Sequence, residues 1–172
     1  PAILLVKNLF GKAKYTVLEK NSHIFSTEDA RRIARKRLPR MVFDFIEGAA
    51  GREVGVSRNE AAFDNIMLQP RVMENVSQRS LTASILDQSF NVPFGVAPMG
   101  MCNLACPNAD RFLAEMANKF DFPVCLSSAA SSSIEDMAKW AGHRAWFQLY
   151  FSSSEEASMS MVDRALKAGF ET

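Results

Sequence analysis

Three short groups of residues hold most of the chemistry this chain can offer. Gln148 lies between Phe147 and Leu149 in an apolar run. A primary amide on a buried strand is costly unless something pairs with it, and it offers both donors and an acceptor. That predicts a ligand with a matching polar edge. Ser127, Ser128 and Ala129 close a second apolar run, and Pro98, Met99 and Gly100 close a third. Ser127 has a plainer alternative as the cap of its strand. Cys102 and Cys106 invite a metal reading, but no second ligand pair accompanies them, which argues for packing residues near a strand end rather than zinc. Of the two histidines, His23 falls in an N-terminal stretch without pattern, and His143 falls in a turn, where a solvated loop residue is expected.

Placing these groups side by side requires a repeating strand–helix unit. The segments 94–97, 124–126 and 146–149 are short, continuous apolar runs, as buried parallel strands are. Each is followed by a helical pattern. The first helix is expected from Asn108, directly after Pro107, the second from Ser132 with Glu135 three places on, and the third from Ser153 with Glu156 three places on, ending at Gly169. In such units ligands sit at the carboxyl ends of the strands, where the three groups fall. Upstream, Ser26 opens a basic helix that Pro39 ends, residues 41–46 form a further apolar helical turn, and a third helix is expected near residues 54–63. Arg31, Arg32, Arg35, Lys36, Arg37 and Arg40 read as a solvated face, with contact to a phosphate or acidic partner as the alternative. Residues 70–92 read as a capping hairpin with its turn at Asp87-Gln88 and its return from Val92.

Composition narrows the class. The 172 residues are 48% hydrophobic with a net charge of +1, so no strong field argues for nucleic acid or an anionic membrane. An odd number of cysteines, three, suggests reduced thiols and a cytoplasmic setting, extending to the periphery of the inner membrane. Residues 1–25 read as an extension without a signal-peptide pattern, and the missing initiator Met suggests a start further upstream or processing. Three strand–helix units do not close a sheet: a full eight-fold barrel takes roughly 250 residues, and only about 80 are spent here. The expected fold is therefore α/β, the front of a (β/α)8 TIM barrel, with residues 26–172 as the N-terminal part of a larger domain.

Five stretches carry a family resemblance: LPRMVFDFIEGAAG (38–51), NEAAFDNIMLQPRV (59–72), PFGVAPMGM (93–101), LSSAASSSIEDMA (126–138) and WFQLY (146–150). Together, in this order, they resemble the FMN-dependent α-hydroxy-acid oxidase/dehydrogenase family, which includes glycolate oxidase, flavin-linked L-lactate dehydrogenase and mandelate dehydrogenase. The resemblance implies FMN as cofactor and a small 2-hydroxy acid as substrate. It further implies oxygen, a quinone or a cytochrome as electron acceptor, and a homo-oligomer, often a tetramer. It also implies roles for residues. The backbone of Pro98, Met99 and Gly100 would pass along the flavin ring, which glycine permits by close approach. Ser127 would hydrogen-bond the flavin, Gln148 would pair with its pyrimidine-side edge, and Tyr150 would place its hydroxyl over substrate and flavin, unless it is a core tyrosine.

Two positions depart from the glycolate oxidase-like pattern. Phe45 stands where those members carry a substrate-binding tyrosine, and Ala129 stands where they carry a tryptophan. Unless Phe45 is plain helix packing, the pair favours a bulkier acid than glycolate. The family's catalytic base is a histidine, with arginines on the substrate carboxylate, and the resemblance places these beyond Thr172. On that reading residues 1–172 hold no catalytic residue, and they are expected to be inactive alone with poor FMN retention. The alternatives are another FMN- or phosphate-binding barrel, such as a flavin-dependent isomerase, and a non-enzymatic truncation product whose open sheet edge favours aggregation.

Overall fold

The computed structural model describes residues 24–172. His23 and nearly all of the expected 1–25 extension lie outside the described residues. The chain divides into two compact units, one up to Asn59 and one from Glu60.

In the first unit, α1 spans Thr27–Arg37 and α2 spans Arg40–Glu47. Ser26 caps α1 by accepting from the Asp29 N–H at 3.1 Å, which satisfies one of the donors a helix start leaves open. Arg31 ties the two helices by pairing with Glu47. Arg32 pairs with Asp29 and Arg40 with Asp44, so part of the basic run is spent within its own helices. On α2 it is Phe43 that is buried, whereas Phe45 is 62% exposed within the described residues. A third helix, α3, covers Val54–Asp64.

The second unit contains the sheet. A hairpin of β1 (Ala83–Ile85) and β2 (Gln88–Phe90) pairs antiparallel. Its turn is Leu86-Asp87, one residue earlier than expected, and the return begins at Gln88 rather than Val92. Both turn residues have positive φ, 51° and 61°, as a two-residue hairpin turn that follows the strand twist requires. After it come α4 (Ala109–Phe120), β3 (Val124–Ser127), α5 (Ile134–Ala141), β4 (Ala145–Gln148) and α6 (Glu155–Lys167). β3 and β4 are parallel, in register from Val124 opposite Ala145 to Ser127 opposite Gln148.

The segment 94–97, expected as a full strand, is a single parallel bridge of Val96 to Val124. Pro93, Pro98 and Pro123 flank it and cannot donate to a ladder. What remains is Val96 N–H to Pro123 O at 2.9 Å and Cys125 N–H to Val96 O at 2.9 Å. Gly95 permits that approach: a Cβ there would lie 2.5 Å from the Pro123 carbonyl oxygen. On the other side of the sheet, Phe147 N–H donates to Thr172 O at 2.8 Å. Four chain segments therefore lie side by side in sequence order, as parallel strands with helical crossovers do.

The helix starts also move by one residue. Ser133 caps α5 through the Asp136 N–H, and Ser154 caps α6 through the Ala157 N–H, where Ser132 and Ser153 were expected. Asn108 holds the N-cap position of α4, but with φ of 61° and no side-chain bond to the helix. Gly169, with φ of 97°, ends α6 in the left-handed conformation that suits glycine. Val124 and Leu126 of β3, Ala114 and Ala117 of α4, and Met137 and Ala141 of α5 form the core with Ala165 and Phe170.

Candidate functional site

The carboxyl ends of the parallel segments bring the predicted groups together. Ser127 and Gln148 face each other in register, and the Ser127 hydroxyl donates to Gln148 Oε1 at 2.9 Å. The same hydroxyl accepts from the Ala129 N–H at 3.1 Å, so it turns the chain after β3 as well as bonding the amide. Ser127 is 4% exposed. With its proton given to Gln148, what it retains is acceptor capacity. Fixing Oε1 leaves the two Nε2 donors of Gln148 free, and Nε2 has no hydrogen-bond partner among the described residues.

The neighbouring loops are tied to this pair. Ser128 N–H donates to Gln148 O at 3.0 Å, and Met101 N–H donates to Ala129 O at 3.0 Å. The Ser128 hydroxyl accepts from the Tyr150 N–H at 3.0 Å. Tyr150 is 64% exposed in residues 24–172. Pro98, Met99 and Gly100 are exposed, and the N–H groups of Met99 and Gly100 have no acceptor among the described residues. The built Cβ of Gly100 would meet Ala129 Cβ and O at 3.4 Å, so these two chain turns are in close contact. Phe45 belongs to the first unit and is described only there.

This edge has the donor set for a planar ligand with alternating donors and acceptors along one side. It offers Nε2 of Gln148 and two backbone N–H groups as donors, with the remaining lone pairs of Ser127 and Gln148 as acceptors. It offers no nucleophile. Burial, followed by a hydrogen bond and charge repulsion from Asp110, pushes the Cys102 thiol up to about 11, and burial also pushes Cys125 up. Thiols held protonated are poor nucleophiles and poor metal ligands. Among the described residues no group of His, Cys, Asp and Glu side chains is gathered for a metal ion. His143 is exposed on the turn Gly142–Arg144, at the amino end of β4 and so at the opposite end of that strand from Gln148. No described helix is long and apolar enough to cross a membrane.

Sequence reasoning overlooked Asp110. It is buried in the first turn of α4, and its carboxylate accepts from the Ser131 N–H at 3.0 Å. The signal was present: Asp110 precedes Ala114 and Ala117 by four and seven residues, which puts a charged residue on the helix's apolar stripe.

The likeness to known proteins agrees with this geometry. The profile of the FMN-dependent dehydrogenase family matches residues 34–172. The (S)-mandelate dehydrogenase of Pseudomonas putida is 38% identical over 152 residues, covering 88% of this chain and 38% of that protein. An L-lactate oxidase of Nostoc sp. is 33% identical over 143 residues, covering 81% of this chain and 39% of that protein. A solved structure of a soluble mutant of the membrane-associated Pseudomonas putida enzyme superposes with a TM-score of 0.80, covering 86% of this chain and 42% of that one. A crystal structure of mandelate oxidase, at 31% identity, gives 0.78 over 85% of this chain and 42% of its own. The chain thus spans about two fifths of the length of the relatives it matches, and it folds as the corresponding part of their barrel. It belongs to the FMN-dependent dehydrogenase family.

Proposed function

We propose that the whole protein is an oxidoreductase that converts an L-2-hydroxy acid to the 2-oxo acid with FMN as cofactor. The observation that carries this reading is the Ser127–Gln148 pair at the joined strand ends, set beside backbone donors that have no partner among the described residues. The donor set suits the flavin ring, whose pyrimidine side alternates donor and acceptor groups. When bound, FMN supplies the acceptor, at N5, for the hydride equivalent leaving the substrate. Gln148 holds the pyrimidine-side edge through Nε2, and Ser127 fixes the amide and adds an acceptor. The backbone of Pro98, Met99 and Gly100 lines the ring. Tyr150 and Phe45 contact the substrate, and the small Ala129 leaves room for a substituent larger than the hydrogen of glycolate. Phe45 keeps a ring and lacks the hydroxyl of a tyrosine, which again favours an apolar substrate group.

We assign no catalytic base within residues 1–172. The base in this reading is a histidine elsewhere in the whole protein. Electrons leave to oxygen, a quinone or a cytochrome, and the working form is a homo-oligomer, a tetramer. We place it in the cytoplasm or against the inner membrane, supported by the free state of Cys102, Cys106 and Cys125.

The test is steady-state oxidation by the FMN-loaded whole protein with an artificial electron acceptor, comparing glycolate, L-lactate and L-mandelate. The expected order in kcat/KM is mandelate, lactate, glycolate. Ala129→Trp should lower mandelate turnover by about tenfold or more while sparing glycolate, since overfilling a close-packed space costs roughly 1–3 kcal/mol. Turnover of none of the three by flavin-loaded protein would overturn the assignment.

A further inference from the structure

Asp110 is 4% exposed, yet it lies outside the set of groups that would touch flavin or substrate. It is buried where two loops meet. From the loop after β3 it accepts the Ser131 N–H at 3.0 Å. In the loop after residues 94–97, Cys102 lines the same small cavity as Asp110, and its thiol lies 3.8 Å from the Met99 carbonyl oxygen, to which it donates. Ser131 closes the circuit by accepting the Asn103 N–H on its own hydroxyl at 3.2 Å. The two loops connected in this way carry Met99 and Gly100 on one side and Ala129 on the other. Behind them the interior is nearly solid: the cavity bounded by Asp110, Cys102, Met99 and Ser127 has a volume of about 10 Å³. That is room for no more than one water, so a shift of either loop has little slack to absorb it.

We propose that Asp110 is a positioning residue. It clamps the Met99–Gly100 turn to the Ser127–Ser131 turn and so sets the separation of the backbone donors along the flavin edge. The inference rests on the reading that this edge holds FMN. The carboxylate works through the loops and touches no reacting atom. Removing it leaves the Ser131 N–H without its acceptor and loosens the loop whose Ser131 hydroxyl holds the Asn103 N–H. The donors along the edge then lose their fixed spacing before they lose their chemical identity.

The experiment uses the whole protein and three variants: Asp110→Ala, Asp110→Asn and Ser131→Ala. Asp110→Asn keeps an acceptor for Ser131 and drops the charge beside Cys102. Ser131→Ala sits on an exposed position and removes only the bond from Asn103, so it does not threaten the fold. FMN affinity is read by fluorescence titration and apoprotein stability by thermal unfolding. The pH dependence of Cys102 alkylation is read in a Cys106→Ser, Cys125→Ser background. Asp110→Ala should weaken FMN binding by about tenfold or more, the equivalent of a hydrogen bond to a charged group. Asp110→Asn and Ser131→Ala should each weaken it a few-fold with little change in apoprotein unfolding. Asp110→Asn should move Cys102 alkylation to lower pH, while the pH profile of turnover stays in place. Wild-type FMN affinity in both Asp110→Asn and Ser131→Ala would overturn the inference. Failure of the wild-type protein itself to take up FMN would instead overturn the functional reading, and the inference with it.

Discussion

The two ends of the parallel strands differ in how they use their residues. At the amino end the β1–β2 hairpin closes the structure. Phe90 is 0% exposed and meets the Trp146 ring edge-on at a centroid distance of 6.1 Å. Trp146 Nε1–H donates to Gln88 Oε1 at 3.0 Å. Arg144 stacks over the Phe90 ring at 5.1 Å, donates to the Ser89 carbonyl at 3.1 Å and pairs with Asp121. Each of these polar groups has a protein partner, Asp121 Oδ1 through its ion pair with Arg144 alone. At the carboxyl end, Nε2 of Gln148 and the N–H groups of Met99 and Gly100 have none among the described residues. On the proposed reading, the amino end serves stability and the carboxyl end binding, the division of labour common to barrel enzymes. A stability-optimised carboxyl end would have paired or replaced those donors.

That contrast can be broken by substitutions at either end. The largest effect is expected from Phe90→Ala, which empties a fully buried ring site and should cost about 3–5 kcal/mol in denaturant unfolding, with FMN affinity per folded molecule little changed. Gln148→Leu should act in the opposite sense. It removes the pairing amide and should raise the FMN dissociation constant by about tenfold, while unfolding shifts by less than about 1 kcal/mol. Trp146→Phe keeps the ring contact with Phe90 and loses the donor to Gln88. It should cost about 1 kcal/mol of stability and leave flavin binding alone. An equal loss of flavin affinity in Phe90→Ala and Gln148→Leu would erase the distinction.

The smallest effect is expected on the outer surface, where Arg164 pairs with Glu135 between α6 and α5. The hydrogen bond from Arg164 holds the Glu135 carboxyl down to about 2, against an ordinary value of 4.5. A carboxyl pKa lowered by folding contributes stability above the ordinary value, and that contribution fades as pH falls toward 2. Because both side chains are exposed and screened, Glu135→Gln should lower the thermal midpoint at pH 7 only slightly, by less in high salt, and not at all well below pH 2.

Much of this was legible in the sequence, because the strongest signals are local. The apolar runs marked the strand positions, and the polar residues closing them marked the edge where Ser127, Gln148 and the 98–100 turn meet. Helix starts slipped by one because serines run three in a row before α5 and α6, so composition alone does not single out the capping member; the structure uses the last of each run, Ser133 and Ser154. The hairpin turn was misplaced because Leu86 adopts positive φ, where turn composition favours Gly, Asn or Asp. The Ser127–Gln148 bond and the Asp110 clamp were not legible as contacts. Both join residues about twenty positions apart, and only the register of β3 on β4 and the packing of α4 bring them within reach.

The central claim is that FMN binds the carboxyl end of these strands and not the capped end. Hydrogen–deuterium exchange of the whole protein with and without FMN tests it most directly. FMN should add protection at residues 98–101, 127–131 and 148–150 and leave the hairpin from Ala83 to Phe90 unchanged. Protection centred on the hairpin and the Arg144–Trp146 turn, or no change at the three strand ends, would contradict it.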